Sequence, residues 1–226
     1  VDAFGIFEGG GAKGLAHIGA LKAAEENGVK FIGVAGTSVG AIVASLVAAG
    51  YTPDELFSPE QQNGVLAVDY REFLDEERWN ELSGVKDEIL ALFEKHKGSF
   101  GCKFMLALCR FARRNKGSIE AFWGDLGFFD TSKFEGWLEE KLQAKLSAKR
   151  EGFKPSGPDG KVAFRDLMMP LKVIASELTG RRIQVFPRPI GNEAVAPAVA
   201  ASISLPIVFA PKRIDRGQLV DGGVGL

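Results

Sequence analysis

A serine stands between two glycines in Gly36-Thr37-Ser38-Val39-Gly40. The run before it, Phe31-Ile32-Gly33-Val34-Ala35, is apolar, and the run after it, Ala41 to Ala49, is helix-forming. A strand that passes into a helix through G-x-S-x-G is the pattern of a nucleophile elbow. Such a turn is so tight that a side chain at Gly36 or Gly40 would strike the strand or the helix. The turn pushes the Ser38 hydroxyl out at the carboxyl edge of a sheet. A helix N-terminus then lies beside it, with N–H groups and a partial positive charge that suit a developing oxyanion. The same residues also suit a plain turn with a serine cap. The strand before and the helix after favour the nucleophile.

A second glycine cluster, Glu8-Gly9-Gly10-Gly11-Ala12-Lys13-Gly14, follows the apolar run Ala3 to Phe7. Gly9, Gly11 and Gly14 satisfy G-x-G-x-x-G, the dinucleotide-binding fingerprint. That fingerprint wants an acidic residue at the end of the next strand, where Val34, Ala35 and Gly36 stand instead. A P-loop is excluded, because Leu15 and Ala16 occupy the places of its lysine and hydroxyl residue. The alternative is an oxyanion hole. Consecutive glycines let backbone N–H groups turn toward a negative oxygen without obstruction. The serine on the second strand favours this reading. Lys13 could favour an anionic transition state or headgroup, or simply lie in solvent.

A serine nucleophile needs a base. The chain has two histidines. His96 lies between Lys95 and Lys97, the surroundings of a solvated residue, and His17 reads as structural. Asp221 is the better candidate. It ends the short apolar run Gln218-Leu219-Val220 and precedes Gly222-Gly223, which permit a tight turn that would fix it at the sheet's carboxyl edge. Partial burial would raise its pKa and make it a usable base. Taken alone, the same residues read as an ordinary Asp-Gly turn.

The elements that must position these groups follow from periodicity. Strands are expected at Ala3 to Phe7, Phe31 to Ala35, Leu171 to Ser176, Arg182 to Phe186 and Gln218 to Val220. Helices are expected from Leu15 to Asn27, stopped by Gly28, and from Ala41 to Ala49. A further helix starts with Thr52 as cap and Pro53 at its first position. Ala194 to Ser202 reads as a small-residue helix. Between about residues 61 and 160 helical patterns dominate: Tyr70 to Asn80, Val85 to His96, Cys102 to Arg114 and Lys133 to Lys149. The expectation is a helical lobe (about 61–160) inserted into an α/β core (1–60 and 161–226), within one catalytic domain.

The bulk properties exclude several classes. The 226 residues are 46% hydrophobic and 25% charged, with a net charge of −1, which is ordinary for a globular chain. Near-zero charge gives no domain-wide field for nucleic acid. Cys102 and Cys109 make no disulfide framework, and no Cys/His cluster has metal-ligand spacing. A reducing compartment is the default, at a cytoplasmic or membrane-peripheral location. No apolar run approaches the roughly 20 residues of a membrane span. Val1 opens directly into a strand and the chain stops just after a glycine turn, so a longer natural protein is expected.

Together Gly9-Gly10-Gly11-Ala12-Lys13-Gly14, Gly36-Thr37-Ser38-Val39-Gly40 and Asp221-Gly222-Gly223, in this order, resemble the patatin-like phospholipase family. The segment Ala201-Ser202-Ile203-Ser204-Leu205-Pro206-Ile207-Val208-Phe209-Ala210-Pro211 also resembles that family's stretch ahead of its aspartate. The resemblance covers the first 55 residues and about residue 170 onward. The helical insertion is most similar to bacterial and effector-type members. The resemblance implies a three-layer α/β/α fold with a mostly parallel central sheet and a helical insertion lobe. It implies a Ser38–Asp221 dyad, an oxyanion hole at Gly9, Gly10 and Gly11, a phospholipid or other acyl lipid as substrate, and neither cofactor nor metal. Secretion as an effector fits this picture. An acyltransferase with the same serine, or an idle lipid-binding module, are the rival functions. In the lobe, Phe100, Phe104, Met105, Leu108 and Phe111 lie among Lys97, Lys103, Arg110, Arg113, Arg114 and Lys116, a pattern that can lie on an anionic membrane. It equally suits a helix with its apolar face on the core.

Overall fold

The computed structural model describes residues 1–10, 14–58, 64–68, 73, 127–189, 192–214 and 217–224. The helices expected at 70–80, 85–96 and 102–114 lie outside these residues, as do the basic cluster from 97 to 116, Gly11 and Lys13. Strand β1 (Asp2–Phe7) leads to helix α1 (Gly14–Glu26), strand β2 (Lys30–Thr37), helix α2 (Val39–Ala49) and the short helix α3 (Pro53–Leu56). Later come β3 (Gly127–Phe129), α4 (Ser132–Lys149), β4 (Leu171–Glu177) and β5 (Arg182–Phe186). The chain continues with α5 (Val195–Ile203), β6 (Ile207–Phe209), β7 (Lys212–Ile214) and β8 (Gly217–Asp221).

The fold is of the expected α/β class. Strands β1, β2 and β4 run parallel and form its core. Helix α2 joins β2 to the rest, as a parallel sheet requires a crossover. The sheet is then extended by antiparallel strands: β5 and β8 pair with β4, and β7 pairs with β8. Strands β3 and β6 form a separate parallel pair.

The position of β8 decides the site. On one edge of β4, residues Val173 to Glu177 pair with β5. The other edge is shared end to end. Residues Leu171 to Ile174 pair with β2, and Ala175 to Glu177 pair with β8. Thr37, the last residue of β2, lies opposite Ile174, and Asp221, the last residue of β8, lies opposite Ala175. Two strands running in opposite directions therefore end facing each other across adjacent residues of one partner.

Helix α2 is buried on every side from Gly40 to Ala49. A helix that is apolar all round belongs in a core. Its one polar side chain, Ser45, returns its hydroxyl to the Ile42 carbonyl at 2.8 Å. Helices α1, α4 and α5 pack around it. Helix α4, assigned to the lobe by its sequence, buries Phe134, Leu138, Leu142 and Leu146 and packs on α2 and α5. Small residues in α5, with Ala196, Ala198, Ala200 and Ala201 all buried, allow close approach to β4 and β8. The opposite face of the sheet carries Phe4, Ile6, Ile183 and Val185, which are 41–80% exposed. That face is the one a third layer would cover.

Candidate active site

The elbow has the shape its glycines require. Ser38 sits at φ 53°, ψ −131°, outside the wells that L-residues prefer. Its carbonyl accepts from the N–H groups of Ala41 and Ile42 and so opens α2. A Cβ on Gly36 would lie 2.2 Å from the Gly40 carbonyl oxygen, and one on Gly40 would lie 2.2 Å from the Phe7 carbonyl oxygen. Both obstacles are backbone and cannot swing away. Gly40→Ala is therefore expected to destabilise the fold by about 3 kcal/mol or more. A urea unfolding midpoint near that of the parent would contradict the tightness of this turn.

The glycine loop begins beside the nucleophile. A Cβ placed on Gly9 would come within 3.0 Å of the Ser38 Cβ. One placed on Gly14 would meet Val39 Cγ1 at 2.1 Å, so the start of α1 is pressed against the elbow. The loop is tied from α1 by His17, whose Nε2–H donates to the Glu8 carbonyl at 3.0 Å while its ring meets Phe7 edge-on. Gly9 and Gly10 are half-buried next to this tie. The described histidine thus holds the loop and does not reach toward Ser38 as a base.

Asp221 does not stand at the carboxyl edge of a parallel sheet. Because β8 runs antiparallel to β4, Asp221 meets the end of β2 in mid-sheet. It is 4% exposed. Its N–H donates to the Ser204 carbonyl at 2.8 Å, and its Oδ1 accepts from the Gly223 N–H at 2.7 Å. A Cβ on Gly222 would lie 2.2 Å from Thr37 Oγ1 and 2.4 Å from the Ile174 carbonyl oxygen, so this turn also needs its glycine. Burial pushes the Asp221 pKa above the ordinary carboxylate value, against the opposing pull of the Ser38 hydroxyl and the Gly223 N–H. Oδ2 is buried and makes no hydrogen bond of full geometry among the described residues. Side chains paired for proton transfer often stand apart or misaligned until substrate is bound.

The rest of the neighbourhood follows from register. Gln184, Ala175 and Asp221 form one row across the same sheet face, and Arg182, Glu177 and Leu219 form the next. A cleft of about 560 Å³ opens over this second row, with Phe186 and Ile214 among its walls. Neither Ser38 nor Asp221 lines it. Its cations are matched: Arg182 Nε donates to Glu177 Oε2 at 3.0 Å, and Arg188 pairs with Glu193. Among the described residues no three His, Cys, Asp or Glu side chains gather as metal ligands, and no helix is long and apolar enough to cross a membrane.

Sequence reading missed two neighbours of the pair. Ser202 and Ser204 lie in the segment quoted for its family likeness, but no role attached to them. Ser202 Oγ accepts the Ser38 N–H at 2.9 Å across 164 residues of sequence. Polar residues in an otherwise small and apolar helix were the available signal.

A mixed α/β sheet with a serine on a strand–helix elbow and a buried aspartate beside it defines a narrow class of folds. The chain matches the model of the patatin-like phospholipases over residues 5–225. It belongs to the patatin-like phospholipase family. It is 31% identical to YqhO of Bacillus subtilis, over 97% of this chain and 62% of that protein. A shorter stretch, 20% of this chain and 3% of the relative, is 46% identical to the lysophospholipase NTE1 of Eremothecium gossypii. The chain therefore spans less than two thirds of these relatives. Among solved structures, VipD from Legionella pneumophila superimposes with a TM-score of 0.52 at 21% identity, over 97% of this chain and 46% of VipD. The type III effector ExoU superimposes with a TM-score of 0.50 at 20% identity, over 89% of this chain and 39% of ExoU. These two likenesses concern the fold.

Proposed function

We propose that this chain is a serine lipid acyl hydrolase of the phospholipase A or lysophospholipase type, working through a Ser38–Asp221 dyad. The observation that carries the reading is the shared edge of β4, which sets the end of β2 against the end of β8. Asp221 takes the proton of Ser38 as Oγ attacks the ester carbonyl of an acyl lipid. The carbonyl oxygen becomes an oxyanion held by the amides of Gly9, Gly10 and Gly11. Collapse of this adduct expels the alcohol, which receives the proton from Asp221, and leaves an acyl-serine. Asp221 then deprotonates water, which attacks the acyl-serine; the acyl C–Oγ bond breaks, Oγ takes the proton back from Asp221, and the fatty acid is released. Gly14, Gly36, Gly40, Gly222 and Gly223 keep the backbones close enough for these groups to meet.

Lys13 faces an anionic headgroup in this scheme, and the basic helical lobe provides membrane contact. An acyltransferase would want a histidine at the nucleophile, and His17 spends its Nε2 on the Glu8 carbonyl. A fluorophosphonate probe is expected to label Ser38 and to lose that label in Ser38→Ala. Labelling at another serine in active protein would overturn the assignment. Liposome binding that survives Ser38→Ala, without esterase activity in the parent, would instead support an idle lipid-binding module.

A further inference from the structure

The C-terminal end of α5 holds both members of the pair. The Ser202 hydroxyl accepts the Ser38 N–H at 2.9 Å and donates to the Ile174 carbonyl at 2.5 Å. Two residues later, the Ser204 carbonyl accepts the Asp221 N–H at 2.8 Å. Ser202 and Ser204 are both fully buried.

The Ser202 bonds occur where the sheet ladder fails. Thr37 is the last β2 residue paired with β4. Beyond it the chain turns through the positive φ of Ser38, and the Ser38 N–H is buried. A buried N–H without an acceptor is strongly unfavourable. The Ser202 hydroxyl fills this gap from another helix, and its own proton is fixed by Ile174. It is a strut between the nucleophile's backbone and the strand that also registers Asp221.

We propose that Ser202 is a positioning residue for the nucleophile, setting the Ser38 hydroxyl against Asp221 and the glycine loop. This rests on Ser38 being the nucleophile. Without the strut the Ser38 N–H and the Ile174 carbonyl lose a shared partner. Ser38 then relaxes from its strained backbone angles, and its Oγ leaves the line of attack. Binding of the lipid, which is made elsewhere, is unaffected.

Ser204 supplies the comparison. It lies on the same helix end, equally buried, and its hydroxyl also makes one internal bond, to the Ala200 carbonyl at 2.7 Å. That bond involves neither Ser38 nor Asp221. Loss of a buried hydroxyl as such is therefore common to Ser202→Ala and Ser204→Ala, whereas loss of the strut belongs to the first alone.

The test uses the full-length protein, a fluorophosphonate probe and a chromogenic acyl ester. Ser202→Ala is expected to slow labelling of Ser38 and to lower kcat by about 100-fold, with KM within about twofold of the parent. Ser204→Ala is expected to stay within about threefold of the parent in both readouts. Ser202→Thr, which keeps the hydroxyl, is expected to restore most of the labelling rate. Labelling at the parent rate in folded Ser202→Ala overturns the proposal, as does an equal loss in Ser204→Ala. Should Ser202→Ala fail to fold, Ser202→Thr decides: labelling near the parent rate supports the strut, and a 100-fold loss in folded protein removes it. A parent that is never labelled at Ser38 removes this proposal and the dyad together. A labelled parent with indifferent Ser202→Ala leaves the dyad standing alone.

Discussion

Asp221→Asn is expected to lower lipid-ester turnover by about 10³- to 10⁴-fold while leaving the protein folded. General-base assistance is of that size, and a dyad has no third residue to share the task. Asparagine can keep the bond from the Gly223 N–H through its own oxygen, so the turn need not move. It cannot accept the serine proton. The measurement is hydrolysis of a dispersed phospholipid by parent and variant at equal concentrations of folded protein. Turnover within tenfold of the parent would remove Asp221 from the chemistry. The pH profile gives a second reading. Burial holds the Asp221 carboxyl above its ordinary value. The acid limb of kcat/KM should therefore fall above the region of an exposed aspartate.

The same substitution has the opposite sign for stability. The folded pKa of Asp221 is raised, so folding takes up a proton between the unfolded value and the folded one. The contribution of this group to stability is greatest below the unfolded pKa. It is lost as pH rises through the folded pKa, where the buried charge must be carried. Asparagine carries no charge at either end. At pH 7 the variant should unfold at an equal or higher urea concentration than the parent, and near pH 4 the difference should shrink. A clear loss of stability at pH 7 would show that the carboxylate is better solvated than its burial implies. A residue that costs stability when ionised and is nonetheless held by the Ser204 carbonyl and the Gly223 amide fits a functional rather than a structural role.

What was legible in the sequence was local. Thr52 and Pro53 start α3 as expected, with Thr52 and Glu55 exchanging capping bonds. Gly28 closes α1 with a left-handed φ of 71°. Strand β4 begins at Leu171, where its apolar run begins, because propensity and burial agree there. Glycine spacing predicted the elbow because the clash that requires Gly36 lies with Gly40, in the same turn, although the clash that requires Gly40 lies with Phe7 on β1. What was not legible depends on pairing across long separations. Lys212-Arg213-Ile214 forms β7 with no alternation of its own, held by register against Leu219, Gln218 and Gly217. The direction of β8 could not be read from five residues, yet it decides that the end of β8 meets the end of β2 on β4. Helix α4 was legible as a helix. Its place against α2 and α5 was not, since an apolar stripe does not say which surface it covers. The role of Ser202 was hidden for the same reason: a serine stands out in a small-residue helix, but nothing there marks the amide it will meet.

Ser38 allows the strain of the elbow to be separated from its chemistry. Ser38→Ala and Ser38→Gly both lack the hydroxyl, and both should lose at least about 10³-fold in turnover, as expected for removal of a nucleophile. They should part company in stability. Alanine keeps a Cβ at φ 53°, ψ −131°, a conformation that costs a non-glycine residue about 1–3 kcal/mol. Glycine adopts it freely but brings extra unfolded-state entropy, a loss of about 0.5–1 kcal/mol. The net expectation is that Ser38→Gly is more stable than Ser38→Ala by about 1 kcal/mol, roughly 2–4 °C in Tm for a chain of this size. Equal stabilities would mean that the elbow is not strained in solution. In that case the tight packing of Gly36 and Gly40 would have to be explained without a nucleophile forced outward. A gap in the expected direction, together with silent enzymes in both variants, would tie the cost of the turn to the one atom that benefits from it, the Ser38 Oγ.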